Sequence, residues 1–268
     1  MSAINEEDVC AGIENDKVFF NVDIVDHCDL NCMACEHFSS VAKENIISVE
    51  AFHKDMKRLS DILDGEATVA ILGGEPLLHP EVDKIFDIAR ELFPGQNIFM
   101  FTNGLTLDKM TNSFWKSMVD NRIIIRVTKT PALNTEKAEK ILESHNAIYF
   151  FKDKHKKFTY QYLSMNKVNS LKNKECEGKY CCALRDGKLY LCVLPANIYR
   201  FNEYFKTNFK VEKEDYIDIY DPNITKEFII KKSKKGVMPF CRYCQDKWER
   251  TDWKITEKKL DEWVKLKL

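Results

Sequence analysis

The chain has 268 residues, enough for one large domain with a small appendage, and it is 44% hydrophobic and 31% charged with a net charge of -1. That balance gives no reason to expect nucleic acid or an anionic membrane as a partner, and no apolar run approaches the length of a membrane span. The opening residues, Met1 to Asp8, are acidic and polar where a secretory signal is basic and then apolar, so a cytoplasmic location is expected, and the ten cysteines read as metal ligands rather than disulfides.

After an N-terminal extension over residues 1–16, Val18 to Val25 alternates as a barrel strand, with Phe20, Val22 and Ile24 on one face and Asn21, Asp23 and Val25 on the other. Polar residues facing inward imply a cavity. Directly after this strand, Cys28, Cys32 and Cys35 put three thiols on one short loop. Three sulfurs can hold three irons of a 4Fe-4S cube and leave the fourth iron open. A zinc knuckle or a set of reduced structural thiols is the plainer alternative. A closed zinc site wants four ligands, however, and His27 and His37 flank the run without a usual zinc-finger spacing.

Residues 48–63 read as a helix with Ser48 as its cap and Phe52, Met56, Leu59, Ile62 and Leu63 on one stripe. A strand at Ala67 to Leu72 runs into Gly73, Gly74, Glu75 and Pro76, and a helix follows at about 81–93. The next strand, Asn97 to Phe101, runs into Thr102, Asn103 and Gly104. A helix at about 108–119, a strand at Ile123 to Val127, a helix at Thr135 to Ser144 and a strand at Ala147 to Phe151 continue the series, with a last strand near Phe158 to Leu163. Strands alternating with such helices imply right-handed parallel crossovers. About six units fit before residue 165, too few to close an eight-unit barrel. The expected fold class is therefore α/β, an open, partial (β/α)6 TIM-like barrel with its chemistry at the C-terminal strand ends.

In this order the three motifs resemble the radical S-adenosylmethionine (SAM) superfamily over about residues 17–165. The resemblance implies that Cys28, Cys32 and Cys35 carry a 4Fe-4S cluster that binds SAM and reduces it to a 5′-deoxyadenosyl radical. It also implies an external one-electron reductant such as flavodoxin or ferredoxin. It assigns Gly73, Gly74, Glu75 and Pro76 to the SAM methionine amine, with Asn103 also at the cofactor. Arg126, which shares a strand face with Thr128, becomes a candidate for the SAM carboxylate, and a structural ion pair is an equal reading of that arginine. The family usually has an aromatic residue before the third cysteine. This chain has Ala34 there, and Phe38 is expected to cover the adenine instead.

A second cysteine set occupies residues 166–268. Asp186 and Gly187 between two short strand-like runs signal a hairpin, Cys192 ends its outgoing strand, and Cys241 and Cys244 stand at chelating spacing. With one more cysteine these resemble the twitch domain, the shortened form of the SPASM auxiliary-cluster domain. The resemblance implies a second, fully ligated 4Fe-4S cluster on Cys176, Cys192, Cys241 and Cys244, with Cys181 a close rival to Cys176; a four-cysteine zinc site would use the same ligands. Cys10 reads as incidental. Ile255 to Leu268 reads as a closing amphipathic helix with Leu260, Trp263, Val264 and Leu266 partly buried, and Trp248 and Trp253 read as packing residues.

A fully ligated cube has no iron free for substrate and acts as an electron carrier. The leading expectation is a radical SAM dehydrogenase that oxidises a small hydroxyl-bearing molecule, a carbohydrate or cyclitol. Alternatives are an epimerase in which Cys181 or Cys182 returns hydrogen to the opposite face, a peptide-modifying maturase, and a zinc-stabilised binding protein.

Overall fold

The computed structural model describes residues 18–153, 158–160, 162–167, 176, 181–234, 237–245 and 248–265. Cys10 lies outside them. Strands β1 (Val18–Val25), β2 (Ala67–Gly73), β3 (Ile98–Thr102), β4 (Ile124–Lys129) and β5 (Ile148–Asp153) alternate with helices α1 (Val49–Leu63), α2 (Val82–Leu92), α3 (Asn112–Asp120) and α4 (Thr135–Ser144). Local signals set the helix starts. The side chains of Ser48, Thr111 and Asn134 accept from the backbone N–H of Ala51, Phe114 and Lys137, which supplies one of the partners each N-terminus lacks.

The five strands pair in parallel in the order β5-β4-β3-β2-β1, and the sheet continues from β1 into β7 (Cys182–Arg185), β8 (Lys188–Tyr190) and β9 (Tyr216–Asp218). β7 lies parallel to β1 and turns back antiparallel into β8 through Asp186 and Gly187, both at positive φ as a tight hairpin of the mirror-image type requires. Helix α5 (Val193–Phe205) follows, then α6 (Lys226–Ser233). The result is a mostly parallel, open α/β sheet of the partial-barrel kind.

Two details differ from the sequence reading of the barrel. Among the described residues five β/α strands precede residue 165, because β6 (Phe158–Tyr160) leaves the sheet and pairs antiparallel with β10 (Glu249–Thr251). Alternation identifies a strand but not its neighbour. In β1, a register shift between Asp23 and Val25 turns Val25 into the main core, away from the face it would share with Asn21 and Asp23 under strict alternation.

The main core fills the helix-covered face, where Phe20, Val22 and Ile24 pack against Phe52, Met56, Leu59 and Phe86. The opposite face holds a smaller cluster of Phe19, Ala70, Leu72, Phe99 and Ile124, flanked by Phe101 and Phe150. The expected closing helix at the C-terminus does not form over the described residues. Residues 252–264 instead run as an irregular segment with one short 3-10 turn, Leu260–Glu262, and Val264 bridges to Leu163. No helix among the described residues is long and apolar enough to cross a membrane.

Candidate functional site: a clasped thiol loop and a second thiol group

β1 delivers the chain into the loop of Cys28, Cys32 and Cys35 at the C-terminal end of the sheet, and the ends of β2 and β3 hold that loop. Gly74 N–H donates to the Val25 carbonyl at 2.7 Å and Glu75 N–H to the His27 carbonyl at 3.1 Å. A methyl group at Gly74 would overlap the His27 carbonyl, and one at Gly73, whose φ is 142°, would overlap that of Val25. The glycine pair therefore admits backbone, not an open space: it lets the second strand end lie directly on the cysteine loop.

Glu75 is the hub beneath it. Its carboxylate accepts from Leu77 N–H at 3.1 Å, from the Thr102 hydroxyl at 2.6 Å and from Asn103 N–H at 2.8 Å. Burial pushes its pKa up to about 7 against these three donors. Asn103 Nδ2 donates to Asp29 Oδ1 at 2.6 Å and stands 3.7 Å from Cys28 Sγ. Pro76 opens the 3-10 turn Pro76–Leu78. Glycine pair, glutamate and asparagine thus form one brace that ties the ends of β2 and β3 to the first cysteine.

From the other side the loop is clasped by the C-terminal segment. Met33 N–H donates to the Lys254 carbonyl and Thr256 N–H to the Asn31 carbonyl, each at 2.9 Å, which makes a one-residue antiparallel bridge between Cys32 and Ile255. Trp253 Nε1 donates to Cys32 Sγ and Trp263 Nε1 to the Cys35 carbonyl, each at 3.1 Å. Neither contact was expected from sequence. The available signal was that a half-buried indole N–H needs a partner.

Three thiols held on one braced loop suit an iron-sulfur cube. Burial pushes the Cys28 and Cys35 thiols up, with the Glu75 charge adding to the effect at Cys28, so bare thiols here keep their protons and bound iron would displace them. Among the described residues no three His, Cys, Asp or Glu side chains converge on a single metal ion. A cube takes one iron per cysteine and needs no such convergence.

A buried polar network lies behind the loop. Asp26 accepts from Arg185 at 3.0 and 3.1 Å, from Arg200 at 2.5 Å and from the Tyr199 hydroxyl at 2.7 Å. Asp23 pairs with His37 Nδ1 at 3.1 Å and with Arg200 at 3.4 Å, and Arg200 also donates to the His37 carbonyl. Burial alone would raise both carboxyls; at Asp23 neighbouring His37 and at Asp26 neighbouring Arg200 lead the opposing effects, which hold each below the usual carboxylate range. Asn21 Oδ1, Asp23 Oδ1 and Asn197 Oδ1 are buried with no hydrogen-bond partner among the described residues.

Other expected site residues fall into place unevenly. The Arg126 guanidinium carbon stands over the Phe101 ring, 3.6 Å from its centroid, and Thr128 follows two positions along the same strand face. Phe38, expected over the adenine, is fully buried with its ring centroid 5.2 Å from that of Phe201, so the ring has no exposed face to offer. Cys182 pairs with Phe20 across β1 and β7 and sits in the main core, where burial pushes its thiol up to about 12. Cys181, its electrostatic neighbour, is half-buried.

The second thiol group is assembled from distant segments. Cys192 is the N-cap of α5, and its thiol is raised by burial first and then by Cys244 and Cys176. Cys244 N–H donates to the Cys241 carbonyl at 3.1 Å, closing the 3-10 turn that carries both. Cys176 is thus close enough to Cys192 for its charge to act there.

Residues 22–149 match the Radical SAM superfamily model. That stretch, a little under half of the chain, is similar to a radical SAM domain. Such a domain binds SAM and a 4Fe-4S cluster. The chain is 31% identical over 132 residues to a GTP 3',8-cyclase of Aliarcobacter butzleri, a match covering 47% of this chain and 38% of the relative, and 28% identical over 102 residues to one of Clostridium botulinum, covering 37% and 31%. It thus spans well under half the length of these curated relatives. In fold, the chain is similar to BtrN in complex with AdoMet and 2-DOIA, with a TM-score of 0.52 and 15% identity over 82% of this chain and 88% of that one.

Proposed function

We propose that the chain is a radical SAM oxidoreductase that converts a carbinol of a small hydroxyl-bearing substrate, a carbohydrate or cyclitol, to a ketone. In this reading Cys28, Cys32 and Cys35 hold the SAM-cleaving cluster, and Cys176, Cys192, Cys241 and Cys244 hold a second 4Fe-4S cluster that accepts an electron. When bound, SAM and its cluster supply an adenosyl radical that takes one hydrogen atom from the substrate carbon. The observation that carries the oxidative reading is the company that Cys244 and Cys176 keep with the half-buried Cys192. A second, closed thiol set has no position for substrate but gives an electron somewhere to go.

The balance is that of a two-electron oxidation. The carbinol carbon loses a hydrogen atom to the adenosyl group, the hydroxyl loses a proton, and the remaining electron passes to the second cluster. An external reductant of the flavodoxin or ferredoxin kind supplies the electron for SAM cleavage. Of the chain's own groups, Asn21, Asp23 and Asn197 offer buried acceptor oxygens that hydroxyl or amino donors of a polyol would satisfy. Arg126, Thr128 and the brace around Glu75 are the proposed SAM contacts. BtrN, whose fold this chain shares, was crystallised with AdoMet and 2-DOIA, a pairing consistent with a small substrate.

Anaerobic purification with iron, sulfide and zinc analysis tests the reading first. About eight irons with matching sulfide are expected, four for each cube, and zinc without sulfide at the second site would overturn the acceptor role. Product mass tests the reaction. Loss of two hydrogens is expected, whereas an unchanged mass with one deuterium taken from heavy water would mean inversion, for which the half-buried Cys181 is better exposed than the core residue Cys182.

A further inference from the structure

Cys32 has the shorter of the two side-chain N–H contacts made to thiols of its loop. Trp253 Nε1 lies 3.1 Å from Cys32 Sγ. Main-chain bonds on either side of the contact, Met33 N–H to the Lys254 carbonyl and Thr256 N–H to the Asn31 carbonyl, pin the two strands that carry the pair. Around Cys28 the donors are weaker. Leu30 N–H lies 3.4 Å from its sulfur, and Asn103 Nδ2, which donates one N–H to Asp29 Oδ1 at 2.6 Å, stands at 3.7 Å.

A hydrogen bond to a ligand sulfur withdraws charge from the cluster, and a reduced cube carries one more negative charge than an oxidised one. The bond is therefore stronger to the reduced form and raises the reduction potential. We propose that Trp253 is a positioning residue that raises the potential of the SAM-cleaving cluster through its N–H···S bond to Cys32. The inference rests on the reading that Cys32 ligates that cluster. It gives the C-terminal segment a role in the electron transfer that starts each turnover: a donor reaching the first thiol set from residues more than two hundred positions away in sequence.

The test is a redox titration of anaerobically reconstituted protein, following the electron paramagnetic resonance signal that changes when SAM is added, which separates this cluster from the second. Trp253→Phe keeps an aromatic plate and removes the donor. The expected result is full iron content with the midpoint shifted negative by about tenfold in the reduction equilibrium, the order of one hydrogen bond to a charged acceptor, or about 59 mV for one electron. Trp263→Phe is the control, because that indole donates to the Cys35 carbonyl and not to a sulfur; its midpoint should move much less. An unchanged midpoint in Trp253→Phe with the cluster intact overturns the proposal, as does an equal shift in both variants, which would mean altered packing or solvent access. If Trp253→Phe does not fold, β-(3-benzothienyl)alanine at position 253 keeps the ring shape without the N–H and must give the same negative shift. A Cys32→Ala protein that still holds a SAM-responsive cluster would instead defeat the ligand reading itself.

Discussion

The two thiol groups of this chain are built by opposite means. The first takes all its sulfurs from one loop, and the sheet supplies the rigidity: the ends of β2 and β3 brace that loop through backbone bonds and Glu75. The second has no such loop. It gathers Cys176, Cys192 and Cys244 from segments that only the completed fold brings together, with Cys192 held at the start of α5. Helix α5 then links the two, since Arg200 and Tyr199 on it grip Asp26, two residues before the first cysteine.

The largest expected effect breaks that asymmetry directly. Replacing Cys28, Cys32 or Cys35 by Ala should abolish SAM cleavage, read as 5′-deoxyadenosine formed under reductant. Cys241→Ala should leave cleavage largely intact while oxidised product is lost. Equal loss of both in the Cys241 variant would show that the second group is not an electron acceptor downstream of the first.

The link between the two groups comes next. Arg200 is 2% exposed, and Asp26 is its closest carboxylate. Asp26→Asn leaves that guanidinium with only its longer contact to Asp23 and should cost about 3 kcal/mol in urea unfolding. The sign with pH follows from the depressed Asp26 carboxyl. The folded protein binds that proton less tightly than the unfolded chain, whose ordinary value is 3.8. The contribution is therefore fully present above that value and is lost as pH falls through the folded one. The acid limb of the stability curve should be flatter in the variant.

What could be read in advance follows the same division between local and assembled structure. Strand β1, the Ser48 cap, helix α4 and the Asp186-Gly187 turn each announce themselves through neighbouring residues. The partner of β6 does not, because a three-residue strand carries no mark of which edge it will meet. The C-terminal segment misled for a physical reason. Leu260, Trp263 and Val264 have helical spacing, yet Trp263 is placed by its bond to the Cys35 carbonyl rather than by a helix face. Glu75 and Asn103 were singled out for the cofactor, and in the fold described here they grip the cysteine loop. Arg200, Asn197 and Trp253 carried no motif, and their roles exist only because distant elements meet.

Two glycine substitutions sharpen the contrast at smaller amplitude. At Gly74 a methyl group would overlap the backbone carbonyl of His27, and backbone cannot step aside without moving the cysteine loop. Gly74→Ala should therefore cost about 2 kcal/mol, in the range of an overpacked core, and reduce iron loading of the first group. At Gly187 the φ is 71° and the added methyl would lie 2.8 Å from the Tyr220 ring, a side chain that is 42% exposed and can swing outward. The left-handed backbone then sets the penalty, and Gly187→Ala should cost about 1 kcal/mol. Because the Tyr220 side chain can yield where the His27 carbonyl cannot, iron at the first group should stay at the wild-type level. Similar iron loss in both variants would mean that the two groups share one cooperative unit, and that the rigidity of the first loop comes from the whole sheet rather than from the glycine contact beneath it.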